Sequence, residues 1–204
     1  MKKTKILVLG NDPQINSIEF NRLDPGIITL GVNRIWLKHI PNFFFFNDCD
    51  IIDELNLVPE TLAKLRSCST IFSSDWLRYG AKRRGTSLPS WTRVIDRTQL
   101  NTFADSVSTS ISIFHRHFLK SSDYTFYVAG VSLLWQEPSH FWKSIEYSNA
   151  KNKNDREWYD PRFNRIETNF RNLKNLGLNI ISVNPNSRLN KIFRYENIGN
   201  LYSK

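Results

Sequence analysis

Cysteine is scarce here: Cys49 and Cys68 are the only two in 204 residues. No disulfide framework can hold such a chain, and no Cys/His cluster has the spacing of a zinc site. Long apolar runs are missing as well. No stretch approaches the roughly 20 apolar residues that span a bilayer. The run that follows Met1-Lys2-Lys3-Thr4 stops at Gly10, too early for a secretory core and cleavage site. These absences predict a cytoplasmic protein with no transmembrane segment. Internal repeats and low-complexity tracts are also absent, as are helix-turn-helix, zinc-finger and RNP signatures.

What remains is ordinary globular material. Hydrophobic residues make up 40% and charged residues 23%, and 204 residues can bury a core without staples. The length predicts one domain, 1–204. The formal charge of +9 suits a polyanionic partner (nucleic acid, a membrane surface, a phosphate-bearing substrate) or simply a solvated basic surface. Arg78, Lys82, Arg83 and Arg84 are the densest basic cluster and read first as a solvated loop. Aromatics reach 13%, and many fall between Trp135 and Phe163, in a segment too polar for core.

The apolar runs are short and end at turn formers, as parallel strands do. Strands are expected at 5–9, 27–32, 42–47, 70–73, 92–95, 124–128 and 179–183. Four consecutive phenylalanines, Phe43 to Phe46, suit a strand buried on both faces. Helices are expected at 50–65 despite Pro59, at 108–119, and at 163–176, where Phe163, Ile166, Phe170 and Leu173 repeat at three and four before Gly177. The alternation predicts an α/β fold: a single Rossmann-like, mostly parallel twisted sheet with helices on both faces. Residues 133–162 interrupt it. They follow the C-terminal end of a strand, where open α/β sheets place ligands, and predict an aromatic, polar lid or substrate loop.

Candidate functional residues collect at strand ends. Gly10-Asn11-Asp12-Pro13 closes the first strand, and a glycine there lets backbone approach a phosphate or ribose. The further glycines of a dinucleotide fingerprint are missing. Asn33 and Asn47 close the next two strands. Each asparagine alone reads as a turn former. Three at successive parallel strand ends converge on one crevice, and an amide both donates to and accepts from ribose hydroxyls and phosphate oxygens. Asp48-Cys49-Asp50 could hold a divalent cation, although Asp50 as the N-cap of the following helix is the favoured reading. Of His39, His115, His117 and His140, only His140, in the expected lid, is a catalytic candidate; His115 and His117 are two apart on a helix and face different ways.

Gly10-Asn11-Asp12-Pro13 resembles the Gly-Asn-Gly-Pro-Ser turn that opens the bacterial sialyltransferases of glycosyltransferase family 42. Maf-type glycosyltransferases and hydroxymethylpterin pyrophosphokinase-like proteins have a similar opening. In the same order, Gly31-Val32-Asn33 and Phe46-Asn47 resemble the asparagines of the second and third strands. Thr109-Ser110 resembles a Thr-Ser at a helix start, Ala129-Gly130-Val131-Ser132 a Ser-Gly-Ile-Asp, and Asn184-Pro185-Asn186-Ser187 a Cys-Pro-Asn-Ser. The resemblance implies a Rossmann-like enzyme that uses a CMP-sugar and no metal. It implies that Gly10, Asn11, Asn33, Asn47, Ser110 and Gly130 hold the nucleotide, and that Trp135 or Tyr159 is the lid aromatic. The chain departs from the pattern in Asp12 for glycine, Gln14 for serine and Ile111 for glycine. An ungapped count puts Asp160 where the family keeps its histidine base. Asp160 is therefore the expected base, with His140 as substitute; before Pro161, Asp160 also reads as a helix N-cap.

The leading expectation is a glycosyltransferase with a nucleotide-sugar donor, no cofactor, no required divalent metal and an acceptor hydroxyl on a glycan or DNA. The alternatives are a pyrophosphokinase-like phosphotransferase with Asp48 and Asp50 on magnesium, and a nucleic-acid-binding module that uses Arg78 to Arg84.

Overall fold

The computed structural model describes residues 3–96, 105–119, 123–134, 141 and 156–203, with side chains of the last segment described from 161 onward. Seven strands form one sheet: β1 (Thr4–Leu9), β2 (Ile28–Val32), β3 (Phe43–Phe45), β4 (Thr70–Ser74), β5 (Arg93–Ile95), β6 (Tyr124–Ala129) and β7 (Ile180–Ser182). Their order is β5-β4-β3-β2-β1-β6-β7, and every neighbouring pair runs parallel. All seven expected strands are present. The central strands read as apolar runs because a parallel sheet is covered on both faces, whereas the edge strand β5 keeps Arg93 exposed.

The alternation along β1 and β3 shows the two faces. Ile6, Val8 and Phe45 enter one buried cluster, with α4 (Ser106–His117) and α5 (Arg156–Asn175) supplying Ile111, Phe114, Phe170 and Leu173. Leu7, Leu9, Phe44 and Phe46 enter the other. There α1 (Asp50–Asn56), α2 (Pro59–Cys68) and α3 (Asp75–Arg84) supply Ile51, Leu55, Leu65, Leu77 and Ala81. Phe44, Phe45 and Phe46 are fully buried.

The helices correct several expectations. The single helix expected at 50–65 is two, α1 and α2. Pro59 lacks an N–H and bars its predecessor from helical geometry, and Val58 accordingly leaves it (φ −128, ψ 66). The basic cluster is no loop. Arg78, Lys82, Arg83 and Arg84 belong to α3, where the Ser74 hydroxyl caps the Trp76 N–H and Gly85 closes the helix in left-handed geometry (φ 65). Only Leu77 and Ala81 of α3 are buried, too few to betray a helical period. Helix α5 starts at Arg156, so Asp160 and Pro161 lie inside it; Asp160 is not its N-cap. Phe141 is 2% exposed and belongs to the core, which corrects the reading of the whole 135–163 segment as too polar for core. No described helix is long and apolar enough to cross a membrane.

Two histidines are held against protonation. His39 stacks on Phe20 (4.5 Å between ring centroids, 7° between planes), and burial lowers its pKa below the usual 6.5. The Nδ1 of His115 pairs with the Tyr124 hydroxyl. Burial, and then the neighbouring Arg116 charge, lower its pKa as well. A histidine whose folded pKa lies below its unfolded value stabilises the fold above the unfolded value, and that stability is lost as pH falls through it. The melting temperature should therefore drop as pH falls from about 7 to about 5, and His39→Gln should flatten the drop. An unchanged slope in that variant, by calorimetry across this range, would remove His39 as a cause.

Candidate functional site

Strand order reverses between β1 and β6, and in open α/β sheets ligands bind beyond the C-terminal ends of strands at such a switch point. Gly10 and Asn11 follow β1, and Gly130 follows β6. The two turns touch. The Gly10 N–H donates to Ala129 O at 2.9 Å. A Cβ on Gly10 would lie 2.3 Å from Gly130 O, and one on Gly130 2.7 Å from the Ile15 side chain. The backbone that approaches Gly10 closely is thus the β6 turn.

The departures at positions 12 and 14 have a structural use. Asp12 Oδ2 accepts from the Ser132 N–H at 2.7 Å. Gln14 Oε1 accepts from the Gly130 N–H at 2.8 Å, and its Nε2 donates to Val183 O at 2.7 Å. Together they staple the ends of β1, β6 and β7. They also line a cleft of about 440 Å³ with Ser132, Asn184, Asn186 and Tyr195. Their partners lie more than a hundred residues away, so no local signal in the sequence marks them.

Asn11, Asn33 and Asn47 follow three adjacent strands, as expected. Asn11 Oδ1 is buried with no hydrogen-bond partner among the described residues, and the Asn11 carbonyl accepts from the Phe141 N–H at 3.0 Å. Asn33 is left-handed (φ 50), a conformation that asparagine tolerates better than most residues. Its Nδ2 donates to Ser106 Oγ at 3.3 Å, and its Oδ1 is buried with no partner among the described residues. An unsatisfied buried acceptor costs about 1–3 kcal/mol, so these two carbonyls are poised for a donor. Ser106 begins α4, whose first N–H groups from Val107 and Ser108 are capped by Asp105 at 3.0 and 2.9 Å. Burial raises the Asp105 pKa against those bonds. Asn47 is used differently: its Oδ1 accepts from Ser74 Oγ at 2.7 Å and from the Ser74 N–H at 3.2 Å.

The other candidates are placed as follows. Ser110 is fully buried, and its hydroxyl donates within α4 to Val107 O at 2.7 Å; Ser106, not Ser110, reaches Asn33. Trp135 and His140 lie outside the described residues, as does most of 133–162. Tyr159 and Asp160 fall on the first two turns of α5, with only their backbone described. Asp50 is not an N-cap: that position is Cys49. The Asp50 carboxylate pairs with Arg84, which also meets Asp53 at 3.1 Å. Among the described residues no group of three or more His, Cys, Asp or Glu side chains could hold a metal ion. Arg78 pairs with Asp96 at 2.9 Å.

Asn33 is also anchored from behind. Its neighbour Arg34 forks onto Glu54 of α1, with Nε at 3.1 and 2.8 Å from the two carboxylate oxygens, and both side chains are nearly buried.

No protein-family model and no curated protein matches the chain. Solved structures do. The sialyltransferase CST-II in complex with trisaccharide acceptor and CMP aligns over 98% of this chain and 88% of its own, at TM-score 0.61 and 13% identity. CstII from Campylobacter jejuni with cytidine-5′-monophosphate aligns over 98% and 87%, at 0.57 and 11%. The monofunctional α-2,3-sialyltransferase Cst-I from Campylobacter jejuni aligns over 99% and 82%, at 0.62 and 14%. The chain has the sialyltransferase fold. Within that fold the three asparagine-bearing strand ends, the switch point and the first turn of α4 share one edge of the sheet.

Removing one partner of a buried ion pair typically costs about 3–5 kcal/mol. Glu54→Ala should lose stability on that scale in urea titration, and Glu54→Gln less. A change below about 1 kcal/mol in Glu54→Ala, the range of a surface pair, would show that the pair does not anchor Asn33.

Proposed function

We propose that this protein is a glycosyltransferase, one that binds a nucleotide-activated sugar along the C-terminal edge of β1 to β3 and passes the sugar to an acceptor hydroxyl. One observation carries the reading: the two buried, unpartnered carbonyls of Asn11 and Asn33 stand at adjacent strand ends beside the switch point. Ribose hydroxyls supply the donors such acceptors need. The sialyltransferase fold, in which CST-II is seen with CMP, makes CMP the first nucleotide to try.

Transfer also needs a base at the acceptor hydroxyl. Asp160, on the first turns of α5, and His140 are the candidates, with Trp135 or Tyr159 covering the nucleotide. A carboxylate base works down to mildly acid pH, whereas a histidine base fails below about 6.5. The pH profile of Asp160→Asn beside His140→Ala separates them. No divalent metal is required in this reading. A phosphotransferase would need Asp48 and Asp50 on a cation, and the Asp50 carboxylate is engaged by Arg84.

The test is thermal shift with CMP, UDP, GDP, ADP and ATP, in EDTA and in manganese. CMP should stabilise in EDTA, by about 2.7 kcal/mol at a hundredfold excess over its dissociation constant. Asn11→Ala and Asn33→Gly should each weaken binding at least tenfold. Glycine accepts the positive φ of position 33, so Asn33→Gly removes the amide and spares the backbone. Stabilisation seen only with manganese, or none with any nucleotide, overturns the reading.

A further inference from the structure

Asp105 places a carboxylate at the one helix start beside the candidate site. It is 8% exposed, and no cation pairs with it among the described residues. Its two oxygens accept separately, from the Val107 N–H at 3.0 Å and the Ser108 N–H at 2.9 Å. An uncapped first turn draws phosphates and carboxylates through its free N–H groups and a dipole equivalent to about +0.5 charge. In α4 a full negative charge of the chain itself has taken both donors and outweighs the dipole. Burial pushes the Asp105 pKa up, and the two N–H bonds together with the dipole hold the carboxylate ionised against that. The turn is also set in core. Val107 to Phe114 are all buried, so little water screens the charge.

The same corner is short of donors. Ser106, next to Asp105, meets the Asn33 amide at 3.3 Å, so a group that answers the Asn33 carbonyl comes to lie against this turn. That carbonyl is buried with no partner among the described residues. Arg34, the cation beside it, is engaged by Glu54. A hydroxyl donates to such a corner, whereas a phosphate or carboxylate brings further acceptors and a like charge. We infer that Asp105 sets the donor class: the transferred sugar is a neutral one, and a sugar that carries a carboxylate on its anomeric carbon, as sialic acids do, is rejected. This rests on the glycosyltransferase reading. In a CMP-linked sialic acid the carboxylate and the phosphate share one carbon, so the donor brings two adjacent anions to an edge whose helix start is already filled by Asp105. A neutral sugar brings the phosphate alone. The chain thus keeps the sialyltransferase fold and takes a different class of sugar.

Titration calorimetry on the full chain tests the inference with cytidine, CMP and CMP-N-acetylneuraminic acid. Asp105→Ser and Asp105→Asn each keep a side-chain oxygen that caps the helix and remove the charge. The wild type should bind CMP-N-acetylneuraminic acid roughly tenfold more weakly than CMP, and both variants should bring that ratio close to one, the scale of a single charge removed from a partly buried site. A cap with only a structural role would change both affinities alike and leave the ratio where it was. The inference is overturned if the wild type binds CMP-N-acetylneuraminic acid as tightly as CMP, or if the ratio is unchanged in both variants while their melting temperatures are retained. Either result, with CMP bound, fails the inference alone. A chain that binds none of the three compounds also loses it; if another nucleotide then stabilises the chain, the glycosyltransferase reading stands without it, and if none does, both fall.

Discussion

Strand β1 is hydrogen-bonded along both edges, to β2 and to β6, and buried on both faces. Everything at the candidate site depends on that double pairing. Its register sets Leu9 beside Gly31 on one side and Ala129 on the other, so the turns after β1 and β6 must leave the sheet at the same level. Two glycines let them touch. Asp12 and Gln14 then fasten the turns to each other and to the end of β7. The crevice at the switch point is thus a rigid edge rather than a flexible loop cluster, which is what a site requiring fixed polar groups needs.

The asparagines along this edge have divided roles. The Asn47 carbonyl is consumed by Ser74 and organises the start of α3. Asn33 adopts positive φ, and the Arg34–Glu54 fork behind it holds the chain in place. Of these three, Asn11 and Asn33 keep a buried oxygen with no partner among the described residues. A strand-end asparagine is therefore weak evidence until its amide is accounted for atom by atom. The same holds for charge: the basic residues of α3 look like a polyanion site in sequence, yet Arg78 and Arg84 are bound to acidic side chains.

Identity to the sialyltransferases of similar fold is 11–15% over nearly the whole chain, low enough that only the shared architecture survives comparison. Where the chain leaves the Gly-Asn-Gly-Pro-Ser pattern, it does so at Asp12 and Gln14, and both substitutes are occupied in holding the fold together. Those departures are accounted for by packing and carry no information about which sugar or acceptor is used.

The sequence by itself determined the strands. A strand buried on both faces is apolar at successive positions, and Phe43 to Phe46 or Ile6 to Leu9, each closed by asparagine or glycine, shows that pattern. It also brought Asn11, Asn33 and Asn47 to one edge, because successive parallel strands end on the same side. Tertiary structure decided the rest, since the physical causes act between residues far apart in the chain. Helix α3 hides in a polar stretch because only two of its residues face the core. Phe141 sits in an aromatic, polar segment and still enters the core, its N–H on the Asn11 carbonyl. Asp50 resembles a helix cap until Arg84, thirty-four residues on, claims its carboxylate. Ser110, matched by motif, turns inward on its own helix, and Ser106 reaches Asn33 instead, because α4 begins one turn earlier than the motif implies.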